Sequence, residues 1–413
     1  MAARLVVVAL LACSCGAPAP EARRAAITNG SADAGDPAVV ALLSLDGRVE
    51  CSGTLVAPHA VLTAAHCGID GTSFDRFVVS FGATASAAGA FALGDAELHP
   101  AYDPSTLAND LALLTLRQAA PVDPIALDAR AVDATWIGQT FTAVGFGSTA
   151  ATAADEGQKR SGSARVTAVG AGDFTAMAAP SQPCGGDSGG PALFSDGATL
   201  VLSGVTSHGD TACVDHAVFA RVDVQRAGFI QPYLDSLAPA SLDTGARCFF
   251  DEECTRGACL VAADEPRRSF CSQACRHDGD CPAPMRCAAD GCRYPTPSPG
   301  ALGAACATAG DCAGALCSAG ACTRSCVPTN ASDCPSGFEC RNTGGIAFDC
   351  VAVKRAGCDV GGAGGAGGAG GAWLVALLLL VAVRSRTWRG GPTATASARR
   401  AARRCRRCTP RRA

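Results

Sequence analysis

Sixteen of the chain's 25 cysteines fall in two consecutive runs of eight, and the two runs share their spacing. The first is Cys248, Cys254, Cys259, Cys271, Cys275, Cys281, Cys287 and Cys292. The second is Cys306, Cys312, Cys317, Cys322, Cys326, Cys334, Cys340 and Cys350. Gaps of five and then four residues open both runs, a gap of three precedes the fifth cysteine, and a gap of five precedes the seventh. Gly279-Asp280-Cys281-Pro282 and Ser332-Asp333-Cys334-Pro335 also correspond. This is an internal duplication, predicting one module over 248–294 and a second over 306–350. A connector over 238–247 precedes them, and the Pro-rich stretch 295–305 joins them. Each module has too few large apolar side chains to bury a core, so crosslinks must hold it. An even cysteine count, with His277 the single histidine in the two modules, favours four disulfides each over a metal site. Eight cysteines admit 105 pairings, and spacing does not choose among them.

Disulfides require an oxidising compartment, and the chain begins with an export signal. Met1 to Cys15 carries Arg4 and then an apolar run, Leu5 to Ala12, too short to span a bilayer. Leu10-Leu11-Ala12-Cys13 resembles a lipoprotein cleavage box, which would lipidate Cys13; a signal-peptidase cut near Ser14 is the alternative. Toward the other end, Gly357-Cys358-Asp359 precedes an uncharged stretch from Val360 to Val383, long enough to cross a membrane. Trp373 opens its strongly apolar part, and Arg384 and Arg386 follow as a cytoplasmic flank. A Gly-Cys, an apolar helix and an Arg cluster over 357–386 resemble the C-terminal sorting signal of myxobacterial surface proteins. That implies processing at Cys358 and anchoring at the cell surface; a plain transmembrane anchor is the alternative. The formal charge of −3 hides a basic tail: eleven arginines and no acid follow Val383. The exported part is therefore acidic, which argues against nucleic-acid binding.

Ahead of the cysteine-rich modules, short apolar or β-branched runs alternate with Gly, Pro, Asp and Asn. Examples are Val39 to Leu43, Gly53 to Val56, Ala60 to Thr63, Phe77 to Phe81 and Leu111 to Leu116. The pattern predicts an all-β barrel or sandwich. Val224 to Leu237 has an apolar face of Phe229, Ile230, Tyr233 and Leu234, which predicts a closing helix. Three segments carry chemistry: Thr63-Ala64-Ala65-His66-Cys67, Asn109-Asp110-Leu111-Ala112-Leu113-Leu114 and Gly186-Asp187-Ser188-Gly189-Gly190-Pro191. A serine hydroxyl needs a base to become a nucleophile. Imidazole can take and return that proton near neutrality, and a carboxylate can orient the ring and favour its cation. His66, Asp110 and Ser188 supply these groups. The glycines beside Ser188 leave the amides of Gly186 and Ser188 bare for a developing oxyanion.

The order His, Asp, Ser, each within its own local motif, resembles the trypsin/chymotrypsin-like serine proteases over Ile27 to Leu237, about half of the chain. The resemblance implies two packed six-stranded antiparallel barrels with the active site between them, followed by a C-terminal helix. It implies disulfides Cys51–Cys67 and Cys184–Cys213. It also implies a mature chain beginning at Ile27, whose freed amine pairs with Asp187, after a propeptide over 16–26. Arg24 lies two residues too early for a trypsin-like cut. Another protease cutting after Ala26, a later trim, or a register two residues away would each resolve that. The specificity pocket falls on Gln182, Pro183, Ser207, His208, Gly209 and Ala217, with Ser207 also bonding Asp110. Gln182 stands where trypsin-like members carry an aspartate, which argues against Arg/Lys preference and for an uncharged side chain of small or medium size.

The expectation is an exported, surface-anchored serine endopeptidase acting on proteins or peptides, with no cofactor and no metal. Its rival is a catalytically silent surface-binding or adhesion protein in which the disulfide-rich modules do the work. Oligomeric state is not legible.

Overall fold

The computed structural model describes residues 27–353, apart from 198, 239–240, 327, 329–333 and 345–346. The terminal segments with Cys13 and Cys358 lie outside the described residues. After a two-residue strand β1 (Ser31–Ala32) come β2 (Val39–Ser44), β3 (Val49–Ala57), β4 (Ala60–Thr63), β5 (Phe77–Ser80), β6 (Phe91–Leu98) and β7 (Ala112–Leu116). They close into an antiparallel barrel in the order β2-β3-β4-β7-β6-β5. Strand periodicity sorts their side chains between two cores. Val40, Leu42, Val61, Leu114 and Leu116 fill the barrel. Val39, Ala41, Leu43, Leu62 and Leu113 face a second core shared with the rest of the protease. Burial on both faces explains why β2 reads as an unbroken apolar run.

The second barrel comprises β8 (Thr140–Gly145), β9 (Arg160–Val169), β10 (Asp173–Ala178), β11 (Pro191–Asp196), β12 (Thr199–Gly209) and β13 (Ala217–Arg221). Its order is β9-β10-β13-β12-β11-β8, a β8–β9 pairing closes it, and β1 adds to β9 from outside. Two six-stranded barrels are thus present, as the family resemblance implies. This core is aromatic. Phe174 stacks on Phe219 with centroids 5.1 Å apart, and Phe141 meets Phe219 edge-on at 5.1 Å. At Gly204 a Cβ would come within 2.6 Å of the Phe174 ring, so only glycine admits that ring. The closing helix starts two residues earlier than its apolar pattern suggests. It runs as α1 (Val222–Gln225), a π-turn over Arg226–Ile230 and α2 (Gln231–Ser236). Phe229, Ile230 and Tyr233 are buried as expected, and the Tyr233 hydroxyl meets Thr115 Oγ1 at 2.6 Å.

Each of the two cysteine-rich modules holds four disulfides, as expected, and divides again into two like sets of four cysteines. The pairs are Cys248–Cys259 and Cys254–Cys271, Cys275–Cys287 and Cys281–Cys292, Cys306–Cys317 and Cys312–Cys322, Cys326–Cys340 and Cys334–Cys350. Every set of four pairs first with third and second with fourth. Each set carries one hairpin: β14–β15 (Cys259–Ala262, Glu265–Cys271), β16–β17 (Arg286–Ala288, Gly291–Arg293), β18–β19 (Leu316–Ser318, Ala321–Thr323) and β20–β21 (Phe338–Gly344, Ala347–Ala352). An acid precedes the second cysteine of every set: Glu253, Asp280, Asp311 and Asp333. The first three accept backbone N–H groups that open a 3₁₀ turn, as Asp311 does from Ala307 and Thr308 at 2.8 Å. Crosslinks enclosing 10–17 residues are worth roughly 3 kcal/mol each.

The first module is built onto the first barrel. The connector pairs with it: Leu242 N–H donates to Glu253 O and Gly245 N–H to Cys271 O, each at 2.8 Å. Phe250 is 2% exposed, belongs to the shared protease core and stacks on His59 with centroids 3.9 Å apart. Arg117 reaches Ser269 Oγ and Pro266 O, Arg247 pairs with Asp95 at 3.3 Å, and Arg267 donates to Thr72 O at 2.8 Å. Gly94 lacks a side chain where the Phe249 carbonyl passes, 3.0 Å from a would-be Cβ. Phe250→Ala should therefore destabilise the protease by about 3 kcal/mol. Urea unfolding of the full chain would show this as a lowered midpoint, and a midpoint equal to that of the parent would refute it.

Candidate active site

His66 sits on the 3₁₀ turn Ala65–Cys67 that leaves β4, and the Cys51–Cys67 disulfide ties this turn to β3. Asp110 lies just before β7 and is fully buried. Its Oδ1 accepts the His66 backbone N–H at 2.9 Å. Its Oδ2 accepts from His66 Nδ1 at 2.7 Å and from Ser207 Oγ at 2.5 Å. Burial alone would raise the Asp110 pKa. The bonds and charge from His66, with the Ser207 hydroxyl, outweigh it and hold the carboxyl below its usual range. An ionised carboxylate only accepts, so His66 carries its hydrogen on Nδ1 and leaves Nε2 basic.

The loop carrying Asp110 is braced from the closing helix. Gln225 donates to Asn109 Oδ1 at 2.7 Å and meets His99 Nε2 at 3.0 Å, while Asn109 Nδ2 donates to Ala101 O at 2.9 Å. Nothing in the sequence singled out Gln225 or His99, because one glutamine and one histidine carry no pattern.

Ser188 lies in the loop between β10 and β11, which the Cys184–Cys213 disulfide ties to the segment after β12. Gly186 has φ +90°, and a Cβ there would come 2.8 Å from Gly147 Cα. Gly189 has φ +78° and leaves 2.1 Å to Thr63 Oγ1. Side chains are thus excluded on either side of Ser188. Ser52 of β3 holds the loop across the barrel seam. Its N–H donates to Ser188 O at 2.8 Å, its hydroxyl donates to Gly186 O at 2.9 Å, and it accepts Phe146 N–H at 3.0 Å. Sequence reasoning missed Ser52. Ser188 and His66 line one cleft of about 510 Å³ with Gly185, Ser207 and His208. The Ser188 hydroxyl makes no hydrogen bond among the described residues, and such bonds commonly tighten only when substrate binds. A second cavity, about 520 Å³, lies among Thr72, Arg76, Arg267 and the second module and shares no residue with this cleft.

Asp187 is buried and accepts Gly147 N–H at 2.8 Å, Cys184 N–H at 2.9 Å and the Ile27 N–H. Burial pushes its pKa up to about 7 despite those donors. Ile27 is fully buried in the second barrel's core and has φ +50°, a torsion that β-branched residues avoid. Gln182 is buried too. Its Nε2 donates to Asp210 Oδ1 at 2.8 Å and to His216 O at 3.0 Å, and its Oε1 has no hydrogen-bond partner among the described residues. Asp210 is engaged by the loop itself. Burial raises its pKa, but the N–H groups of Asp215, Val214 and His216, with Gln182, together outweigh it and hold the carboxyl far below the usual carboxylate range. Pro183, Gly209 and Ala217 line the cleft together with Asp210, whereas Gln182, expected at the base of the pocket, does not line it because its buried side chain is turned to Asp210 and the His216 carbonyl.

Asp187 generates a prediction for the uncleaved chain. Its folded pKa, about 7, lies above the ordinary 3.8. Its contribution to stability is therefore full below pH 3.8 and is lost as pH rises through 7, on the order of 4 kcal/mol at most. Unfolding free energy should fall from pH 5 to pH 8 and fall less in Asp187→Asn, where Asp36, lifted to about 6 chiefly by burial, still contributes a slope; equal slopes in both proteins would refute the assignment.

Residues 27–227 match the trypsin family. A trypsin of Saccharopolyspora erythraea is 35% identical over 191 residues, covering 42% of this chain and 82% of that protein. Serine protease 57 of Mus musculus is 37% identical over 90 residues, 21% of this chain and 31% of its own length. Among solved structures, a mutant of human heparin binding protein shares 23% identity with a TM-score of 0.44, over 52% of this chain and 99% of its own. With this barrel pair and most of a trypsin's length matched, the chain belongs to the trypsin family of serine endopeptidases.

Proposed function

We propose that this chain is an active, exported serine endopeptidase, made as a precursor and held at the cell surface. The observation that carries the reading is Asp110 bonded to both the backbone and the ring of His66, with Ser188 across the same cleft. His66 Nε2 takes the Ser188 proton as Oγ attacks the scissile carbonyl. The amides of Gly186 and Ser188 receive the oxyanion, and Asp110 stabilises the imidazolium. His66 then protonates the leaving amine, and water releases the acyl group by the reverse transfers.

Cleavage before Ile27 is supported by the buried Ile27 side chain, its N–H on Asp187 and its unfavourable φ. A chain beginning there has no such torsion and places an ammonium beside a carboxylate that otherwise resists ionisation. The signal peptide (1–15), propeptide (16–26) and anchor (357–386) follow from sequence alone, and their sites Cys13 and Cys358 belong to this proposal. Gln182 stands where trypsin-like members carry an aspartate, and the oxygens of Asp210 on the cleft wall are already taken by Gln182 and the loop amides, so we infer an uncharged, small or medium side chain before the cut.

A fluorophosphonate probe should label the Ile27-started protein, and Ser188→Ala should abolish labelling. Asp110→Asn should slow turnover by about four orders of magnitude. No labelling of the correctly started protein would favour a silent binding protein. Peptide-library profiling that showed preferred cleavage after Arg or Lys would refute the pocket assignment.

A further inference from the structure

A chain of hydrogen bonds runs from His66 to the cleft wall. His66 Nδ1 lies 2.7 Å from Asp110 Oδ2, Ser207 Oγ lies 2.5 Å from that same oxygen, and His208 Nδ1 lies 3.2 Å from Ser207 Oγ. Counting protons fixes every direction in it. Asp110 is held ionised and can only accept. Ser207 has one hydroxyl proton and gives it to Asp110, so toward His208 it can only accept. His208 therefore carries its hydrogen on Nδ1 and donates it to Ser207. Without that donor the Ser207 hydroxyl could turn between Asp110 and the cleft, because a hydroxyl rotates to suit its neighbours.

We propose that His208 is a positioning residue of this active site. It pins the Ser207 hydroxyl on Asp110 from outside, and Asp110 in turn holds the His66 ring in register with Ser188. This rests on the protease reading above. It assigns a catalytic consequence to an exposed side chain on the wall of the substrate cleft. His208 reaches Asp110 only through Ser207, so its effect travels by the direction of one proton. The neighbouring Asp210 does not share the task, since its oxygens already take the loop amides and Gln182.

The test exploits the difference between the two imidazole nitrogens. His208→Asn keeps a donor where Nδ1 stands, His208→Gln moves it to the place of Nε2, and His208→Phe removes it. The measurement is the rate of inactivation of the full, Ile27-started chain by a small fluorophosphonate at one alkaline pH. The expected order is parent and His208→Asn together, with Gln and Phe slower by about fivefold, the scale of one neutral hydrogen bond. A second readout is independent of turnover. In Ser188→Ala protein, the low-field proton resonance of His66 Nδ1 should keep its position with Asn at 208 and move upfield with Gln or Phe. Equal rates for all three variants, equal losses in all three, or an unmoved resonance in the Gln and Phe proteins would overturn the proposal. A parent chain that fails to react sinks the protease reading instead, and the resonance still decides the role of His208.

Discussion

A charged group sits shielded from solvent at the seam between the barrels. The Asp110 carboxylate is tolerable there because both its oxygens are filled with donors. Those donors come from opposite sides. His66 belongs to the first barrel and Ser207 to the end of strand β12 in the second. The site is therefore a property of the packed pair and not of either barrel. Ser52 repeats this logic in neutral form, reaching from β3 to Gly186, Ser188 and Phe146. The apolar core behind these bonds fixes the spacing, and the polar bridges fix the orientation.

The two barrels reach their packing by different means. The first sorts aliphatic side chains by strand alternation, so that β2, β4 and β7 each feed two cores. The second concentrates Trp136, Phe141, Phe174, Phe194 and Phe219 in one cluster, in a chain that is only 5% aromatic. Large rings fill a barrel with few residues, and glycine at position 204 is the accommodation they need.

Much of this was legible because its physics is local. Strand runs, turn residues and the motifs around His66, Asp110 and Ser188 all lie within short windows, and the order of the motifs points to the barrel pair. Ser52, Gln225 and His99 were not legible, since they act through long-range bonds that leave no periodic trace. Phe250 was hidden differently: one aromatic in a cysteine-rich stretch looks like module filler, yet it packs into the protease core. The cysteine pairing lay between these cases. Spacing revealed two copies, while the acid before each second cysteine, the mark of four, became readable only once Glu253, Asp280 and Asp311 were seen bonding the turn behind them. The closing helix shows a last limit, because apolar spacing locates a buried face but does not register a π-turn.

The placement of Phe250 ties folding of the protease to thiol oxidation. Its backbone belongs to a hairpin unit held by Cys248–Cys259 and Cys254–Cys271, while its ring fills the core beneath His59. In a reducing environment that unit has no core of its own to fold around, and the aromatic filler has no fixed perch. The shared core thus draws one of its rings from a unit that only sulfur–sulfur bonds hold in shape, although the triad beside it includes no cysteine.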